Sequence, residues 1–189
     1  MQLLKIIFLL VISGYCEVGR RVCEDGWTLF NRSKGAWCIK AVKQSANYKE
    51  AQDKCQTMKA VLSSIESETE LFAVIELLQK FKASPNNLND DIAWVGGELK
   101  YECSEMKHSI SQDWCNRSRA YEWTDGWTEG NDGFKKWLYP VAESKHVYKN
   151  RTGLYFRMGL GLGDFDHDKR FLYMVCGKRS KCGCGHTEL

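Results

Sequence analysis

The amino-acid sequence predicts a disulfide-rich α+β domain, and three features support this. Short runs of aromatic and β-branched residues, which are typical of strands, recur along the chain, most clearly at 92–95 and 121–127. Ahead of these runs, between about residues 45 and 82, apolar residues recur with the period of amphipathic helices. The chain also contains nine cysteines, and in an oxidising compartment these are expected to pair as disulfides.

The composition indicates one globular domain. At 189 residues, with a hydrophobic share of 43% and seven tryptophans, the chain can bury a core of its own. The formal net charge is +3, and the densest basic run, 178–181, is interpreted as part of a solvated tail. We therefore expect no nucleic-acid partner.

The amino-terminal residues 1–16 have the pattern of a signal peptide. Lys5 precedes the apolar run 6–12, which is followed by the small residues Ser13 and Gly14. This run is shorter than the ~20 residues that span a bilayer. We expect a secreted protein without a membrane span, in which 17–22 form a short amino-terminal segment. Removal of residues 1–16 would leave eight cysteines, whereas earlier cleavage would leave nine and an unpaired thiol.

A hairpin and two helices are predicted in the first half of the domain. Strands at 26–30 and 36–39 flank a polar turn, and Cys23 and Cys38 are placed to bridge them. The helical period then covers about 45–58 and, after a short gap, about 67–82. Each helix begins with the pattern of a capping box, which pairs Asn47 with Glu50 and Ser67 with Glu70.

A buried strand at 92–95 runs directly into Gly96 and Gly97. These glycines allow the backbone to bend or another segment to approach closely. The polar insertion 98–120 follows, and its two cysteines, Cys103 and Cys115, most simply bond to each other.

The strand around Trp123 ends at Asp125-Gly126, which is interpreted as a hairpin turn rather than as a catalytic acid. The polar stretch 128–151 is long for a loop in a compact domain, and loops of this length are usually functional or disordered. The last two strands are predicted at 153–158 and 171–176. The glycine-rich segment 159–163 is interpreted as a tight turn, and 163–170 as the turn that joins the two strands.

Eight short motifs follow one another in a characteristic order along the chain: Gly26-Trp27, Glu50-Ala51, Cys55, Leu62 to Ile65, Trp94 to Gly97, Trp123 to Gly126, Trp137 and Phe171 to Cys176. Their order and spacing resemble the C-type lectin-like domain over residues 23–178. The resemblance implies two helices that flank two small antiparallel sheets, with a long loop as the ligand surface. It also implies that Cys55 pairs with Cys176.

The sequence departs from this family at its calcium site. Members that bind sugar through calcium carry a Glu-Pro-Asn or Gln-Pro-Asp triplet in the long loop, whereas Pro140 lies between Tyr139 and Val141. The family's Trp-Asn-Asp triplet is Leu162-Gly163-Asp164 here. Calcium requires six to eight oxygen ligands, so we expect no calcium cofactor; Asp164 and Glu143 are the candidate ligands if calcium does bind. The cysteines of the family's second disulfide are also absent.

The predicted function is recognition of an extracellular protein or glycoconjugate through the loop 130–150, as the family does in innate defence or at cell surfaces. Two alternatives remain: a carbohydrate-binding lectin with an atypical or calcium-independent site, and a disulfide-linked structural matrix component. No enzyme is expected, because the four histidines are scattered and catalytic motifs are absent. The candidate ligand-binding residues are Trp137, Tyr139, Glu143, Lys145, Arg157 and Asp164.

The segment 179–189 is predicted to be a cysteine-containing tail. Cys182-x-Cys184-x-His186 has the donors of a zinc site, but disulfides are favoured, either to Cys16 or to a second chain as a dimer. The alternating acids at 164, 166 and 168 are interpreted as a solvated hairpin tip. Three sequons predict glycosylation at Asn31, Asn116 and Asn150.

Overall fold

The computed structural model describes residues 21–81, 92–104, 119–130, 152–158 and 161–182. Its elements confirm the predicted mixture of helices and strands. In chain order they are β1 (Arg21–Val22), β2 (Thr28–Arg32), β3 (Gly35–Ala46), α1 (Tyr48–Thr57), β4 (Val61–Leu62), α2 (Glu68–Gln79), β5 (Ile92–Leu99), α3 (Tyr101–Ser104), β6 (Tyr121–Trp123), β7 (Thr152–Arg157), β8 (Gly161–Asp166), β9 (Phe171–Arg179) and β10 (Lys181–Cys182).

Within these ranges the strands form an eight-stranded sheet and a two-stranded ribbon. The main path runs β2-β3-β9-β5-β7-β8, with β4 paired to β9 and β6 to β5, and the ribbon pairs β1 with β10. The contact between β5 and β9 is parallel, whereas β9 is antiparallel to both β3 and β4. Thus one larger sheet takes the place of the two small sheets that the resemblance implied.

The two long helices pack on opposite faces of this sheet. Successive side chains of a strand point to opposite faces, and β5 shows the alternation clearly. Trp94 belongs to the cluster around α1, where its ring meets Tyr48 edge-on at 5.2 Å. Its neighbour Val95 belongs to the cluster that contains Val74 and Leu78 of α2. All five side chains are buried, so the core has two layers.

The α1 capping box forms as predicted. The Asn47 side chain accepts from the Glu50 backbone N–H at 2.9 Å, and the Glu50 carboxylate accepts from the Asn47 N–H at 3.1 Å. At α2 only half of the predicted box exists: Ser67 accepts from the Glu70 N–H. The Glu70 side chain does not return to Ser67, because it binds a buried arginine described below.

Two disulfides connect described residues. Cys23–Cys38 links the segment before β2 to β3, and Cys55–Cys176 links α1 to β9 across 121 residues of sequence. These are the two pairings that were expected. Cys103 is also disulfide-bonded, while its expected partner Cys115 lies outside the described residues.

Gly96 and Gly97 permit close approach of neighbouring segments. A Cβ added to Gly96 would lie 2.2 Å from the carbonyl oxygen of Leu62, and one added to Gly97 would lie 2.5 Å from a Cδ1 of Leu154. Backbone cannot move aside as a flexible side chain can, so position 96 tolerates no larger residue without displacement of β4.

Gly96→Ala is therefore expected to destabilise the fold by about 2 kcal/mol or more through overpacking. The comparison is Gly126→Ala, where nothing lies within 4 Å of an added Cβ and the positive φ of 67° is the only obstacle. That strain costs about 1–2 kcal/mol. Urea unfolding measures both variants. A larger loss for Gly126→Ala would contradict the close approach at Gly96.

The interpretation of the last strands was wrong in one respect. The predicted strands occur as β7 and β9, but β5 lies between them, and residues 161–166 form the additional strand β8 instead of turns. Glycine and aspartate have low strand propensity, so β8 was not predicted from the sequence. The glycine serves a packing role, because a Cβ on Gly163 would lie 2.5 Å from the Tyr155 ring of the neighbouring strand.

The segment 178–181 is more closely packed than a solvated tail. The Lys178 side chain is only 14% exposed, and both Lys178 and Lys181 form ion pairs with Glu24. The guanidinium of Arg179 lies over the Trp127 ring at 3.9 Å. The division of the chain into a signal peptide (1–16), an amino-terminal segment (17–22), a lectin-like domain (23–178) and a tail (179–189) stays a prediction.

In the part of the chain that is described, no helix is both long and apolar enough to cross a membrane.

Candidate functional site

Two of the six predicted ligand-binding residues lie in the described structure. Arg157 ends β7 and Asp164 lies in β8. The other four, all in the loop 130–150, fall outside the described residues: Trp137, Tyr139, Glu143 and Lys145.

The charges of Arg157 and Asp164 both affect the pKa of the Tyr155 phenol. Tyr155 lies opposite Gly163 in the antiparallel register of β7 and β8. Burial and the negative charge of Asp164 raise the pKa of Tyr155, and the positive charge of Arg157 opposes this. The hairpin thus carries a carboxylate, a guanidinium and a phenolic hydroxyl along one edge of the sheet. Asp164 pairs with Leu154, however, so its side chain points to the other face of the sheet from those of Tyr155 and Arg157.

The turn after β8 contains local hydrogen bonds to Asp166, one of the alternating acids of the predicted hairpin tip. Asp166 accepts a hydrogen bond from the Asp168 backbone N–H at 3.0 Å through its carboxylate, and its carbonyl accepts from the Lys169 N–H. The His167 ring is stacked on Tyr48 with ring centroids 4.5 Å apart. Across the described ranges, no three His, Cys, Asp or Glu side chains are grouped in a way that could hold a metal.

A buried polar cluster centred on Arg32 was not predicted from the sequence. Its guanidinium binds the Glu70 carboxylate twice, from Nε at 2.7 Å and from Nη2 at 2.9 Å. Nη1 lies 3.0 Å from the Asp125 carboxylate. All three side chains are at most 1% exposed. The sequence could have indicated that Arg32 is buried, because Arg32 continues the alternation of Thr28 and Phe30, whose side chains point inward from β2.

Hydroxyl and carbonyl groups complete this cluster. Arg32 also donates to the Ser63 hydroxyl, the Ser64 carbonyl and the Thr128 hydroxyl at 2.9–3.2 Å. The Ser63 hydroxyl accepts from the Trp37 indole N–H at 3.0 Å. Every donor of the guanidinium therefore has an acceptor, which a buried charge requires.

The hairpin turn predicted at Asp125-Gly126 is instead a bend after β6, which among the described strands pairs only with β5. Asp125 is a structural acid. Its carboxylate accepts from the backbone N–H groups of Trp127 and Thr128 at 2.9 Å and from the Ser64 hydroxyl. Burial alone would raise the pKa of Asp125, but these hydrogen bonds and the charge of Arg32 lower it below its usual range. The cluster holds β2, α2 and the segment after β6 together and leaves no carboxylate available for chemistry.

Comparisons with known proteins agree with this geometry. A family model for C-type lectin domain-containing protein 141/158 matches residues 27–158. C-type lectin domain-containing protein 161 of Caenorhabditis elegans is 27% identical over 146 residues. That match covers 70% of this chain, which spans only 14% of the length of that relative.

Solved structures show the same fold at low sequence identity. A calcium-independent type II antifreeze protein is 17% identical with a TM-score of 0.56, and the match covers 87% of this chain and 100% of that one. The C-type lectin domain of murine dendritic cell inhibitory receptor 2, solved in complex with N-glycan, is also 17% identical, with a TM-score of 0.53 and coverage of 84% and 99%. Nothing in these comparisons points to catalysis.

The predicted family and its fold are thereby confirmed. The family match extends over more than half of the chain, from the start of the first hairpin to the end of β7. The chain belongs to the C-type lectin domain-containing protein 141/158 family and folds as a C-type lectin-like domain.

Proposed function

We propose that this protein is an extracellular recognition module that binds a protein or a glycoconjugate through the loop 130–150, without calcium-dependent coordination of sugar. The observation that supports this most strongly is the surroundings of Asp164. Within the described residues no second and third metal donor join Asp164, whereas calcium requires six to eight oxygen ligands.

Surface complementarity would provide the affinity. Trp137 and Tyr139 are proposed as apolar anchors, since aromatic residues dominate binding energy at interfaces. Lys145 and Arg157 add positive charge, and Glu143 and Asp164 add acceptors for hydrogen bonds. The fold has a neighbour named as calcium-independent and another solved with an N-glycan, so both a calcium-free mode and a glycan ligand are reasonable within this architecture.

The disulfides support an extracellular location. Cys23–Cys38 and Cys55–Cys176 are formed, and such bonds persist in oxidising compartments. The same proposal includes secretion after removal of residues 1–16. It also includes glycosylation at Asn31, Asn116 and Asn150, and a dimer linked through Cys182 or Cys184. Of these positions, Asn31 is exposed on β2.

The full chain on a glycan array, with and without a calcium chelator, tests this function, followed by binding to purified extracellular proteins if no glycan binds. We expect any binding to resist the chelator and to fall roughly 30-fold in Trp137→Ala/Tyr139→Ala, the loss typical of a hot spot. Tyr101→Ala/Phe72→Ala is the matched control, because these aromatic residues, on α3 and α2, are 65% and 57% exposed.

Glycan binding that disappears with the chelator would contradict the calcium-independent mode. Equal losses in the loop variant and the control variant would contradict the assignment of the ligand surface to the loop.

A further inference from the structure

A groove with a volume of about 900 Å³ opens beside the end of α1 and the end of β9. It lies on the β3–β9 half of the sheet, whereas Arg157 and Asp164 lie on the β7–β8 edge. This volume falls in the range of specific binding sites. The residues that decide its chemistry are Met58, Lys59, Val61, Trp127, Arg179 and Lys181.

The groove carries an excess of positive charge. Lys59 and Arg179 are exposed, and neither has an ion-pair partner among the described residues. Lys178 and Lys181 share the single carboxylate of Glu24 at 2.5 Å each. Their hydrogen bonds lower the pKa of Glu24 to about 2, so that carboxylate stays ionised and still leaves one lysine charge unbalanced.

The other acid of the groove adds no surface charge. The side chain of Asp125 is fully buried and lies on Arg32. The groove therefore attracts anions.

The aromatic rings here are already occupied. Arg179 lies over the Trp127 ring at 3.9 Å, and Trp37 is stacked on the same ring with centroids 5.9 Å apart. Little ring face is left on which a sugar could stack. A guanidinium above an indole ring can still donate from its N–H groups, whose geometry matches the two oxygens of a carboxylate. The geometry thus favours carboxylate groups over neutral sugars.

One wall of the groove is apolar. Val61 is 38% exposed, although it lies in a strand, and Met58 and Ala60 lie beside it. A polysaccharide has no aliphatic side chains to cover this wall, whereas a peptide with both acidic and apolar residues can cover it and pair with the cations at once.

We propose that this groove binds an acidic peptide segment of a partner protein in which carboxylate and apolar side chains alternate. The carboxylates pair with Arg179 and Lys59, and the apolar side chains pack on Val61 and Met58.

Fluorescence polarisation of the full chain with a labelled glutamate-rich peptide containing interspersed leucines tests the proposal. The variant is Arg179→Gln/Lys59→Asn. Asparagine suits position 59, where the backbone φ of 55° is left-handed. The control is Lys43→Gln/Lys49→Gln, which removes the same charge from exposed lysines outside the groove.

We expect the peptide to bind and its affinity to fall roughly tenfold or more in the groove variant, the loss of at least one charge-assisted hydrogen bond. The control should bind as the wild type does, and a peptide with glutamine in place of glutamate should bind weakly. Ligand binding through the loop should be unchanged in the groove variant, which separates this proposal from the proposed function.

Three results would overturn the proposal. The wild type could fail to bind the acidic peptide, or both variants could lose affinity equally, which would indicate net charge alone. A heparin-derived oligosaccharide that binds more tightly than the peptide, with the same dependence on Arg179 and Lys59, would assign the groove to a sulfated polysaccharide instead.

Discussion

Arg32→Met is expected to destabilise the domain by about 3–5 kcal/mol, the usual cost of removing one partner from a buried ion pair. The reason is that Glu70 and Asp125 would remain buried without their shared cation. Their carboxylates lie 2.7–3.0 Å from the guanidinium, and all three side chains are at most 1% exposed. Urea or thermal unfolding of the full chain measures the loss.

Two further variants show whether charge or packing causes this loss. Lys34→Met removes a cation from the adjacent turn, where a pair with Glu129 spans 3.7 Å and is partly exposed, so it should cost less than about 1 kcal/mol. Adding Glu70→Gln to Arg32→Met should recover part of the stability by removing one unpaired charge. If Lys34→Met cost as much as Arg32→Met, the buried cluster would not be the main contributor.

The disulfide variant Cys55→Ala/Cys176→Ala is expected to lose about 5 kcal/mol, since it opens a very long loop in the unfolded chain. The bond spans 121 residues and joins α1 to β9 in the core, where both cysteines are fully buried. A domain whose free energy of unfolding is ordinary, about 5–15 kcal/mol, would lose a large part of it. Chemical unfolding under oxidising conditions measures the effect.

The second disulfide provides the matched comparison. Cys23→Ala/Cys38→Ala opens a loop of only 15 residues, for which the chain-entropy model gives about 3 kcal/mol. The longer loop should therefore cost about 2 kcal/mol more. An equal or reversed order would show that packing of the sulfur atoms, rather than chain entropy, determines these losses.

Elements with a strong local signal were predictable from the sequence. Helix α1 begins where its capping box places it, and its buried residues repeat at the predicted spacing. The close approach at Gly96 was also expected from two glycines that follow a buried tryptophan. In each case the physical cause lies within a few adjacent residues.

Features that depend on distant residues were not predictable in the same way. The carboxylate of Glu70 fits a capping box locally, but the cation of Arg32, 38 residues earlier, binds it more strongly. Strand β8 has a poor strand composition, and it pairs with β7, where Gly163 leaves room for the Tyr155 ring. Within the candidate site, only Arg157 and Asp164 have a described position, so the roles of the loop residues remain proposals.

Calcium titration calorimetry on the full chain, with Asp164→Asn as the comparison, tests the proposed calcium-independent recognition most directly. Because no second and third metal donor join Asp164 within the described residues, we expect no calcium heat for either protein at calcium concentrations up to about millimolar, the range of extracellular calcium modules. Binding in this range that is lost in Asp164→Asn would contradict the account and would place a calcium site on β8.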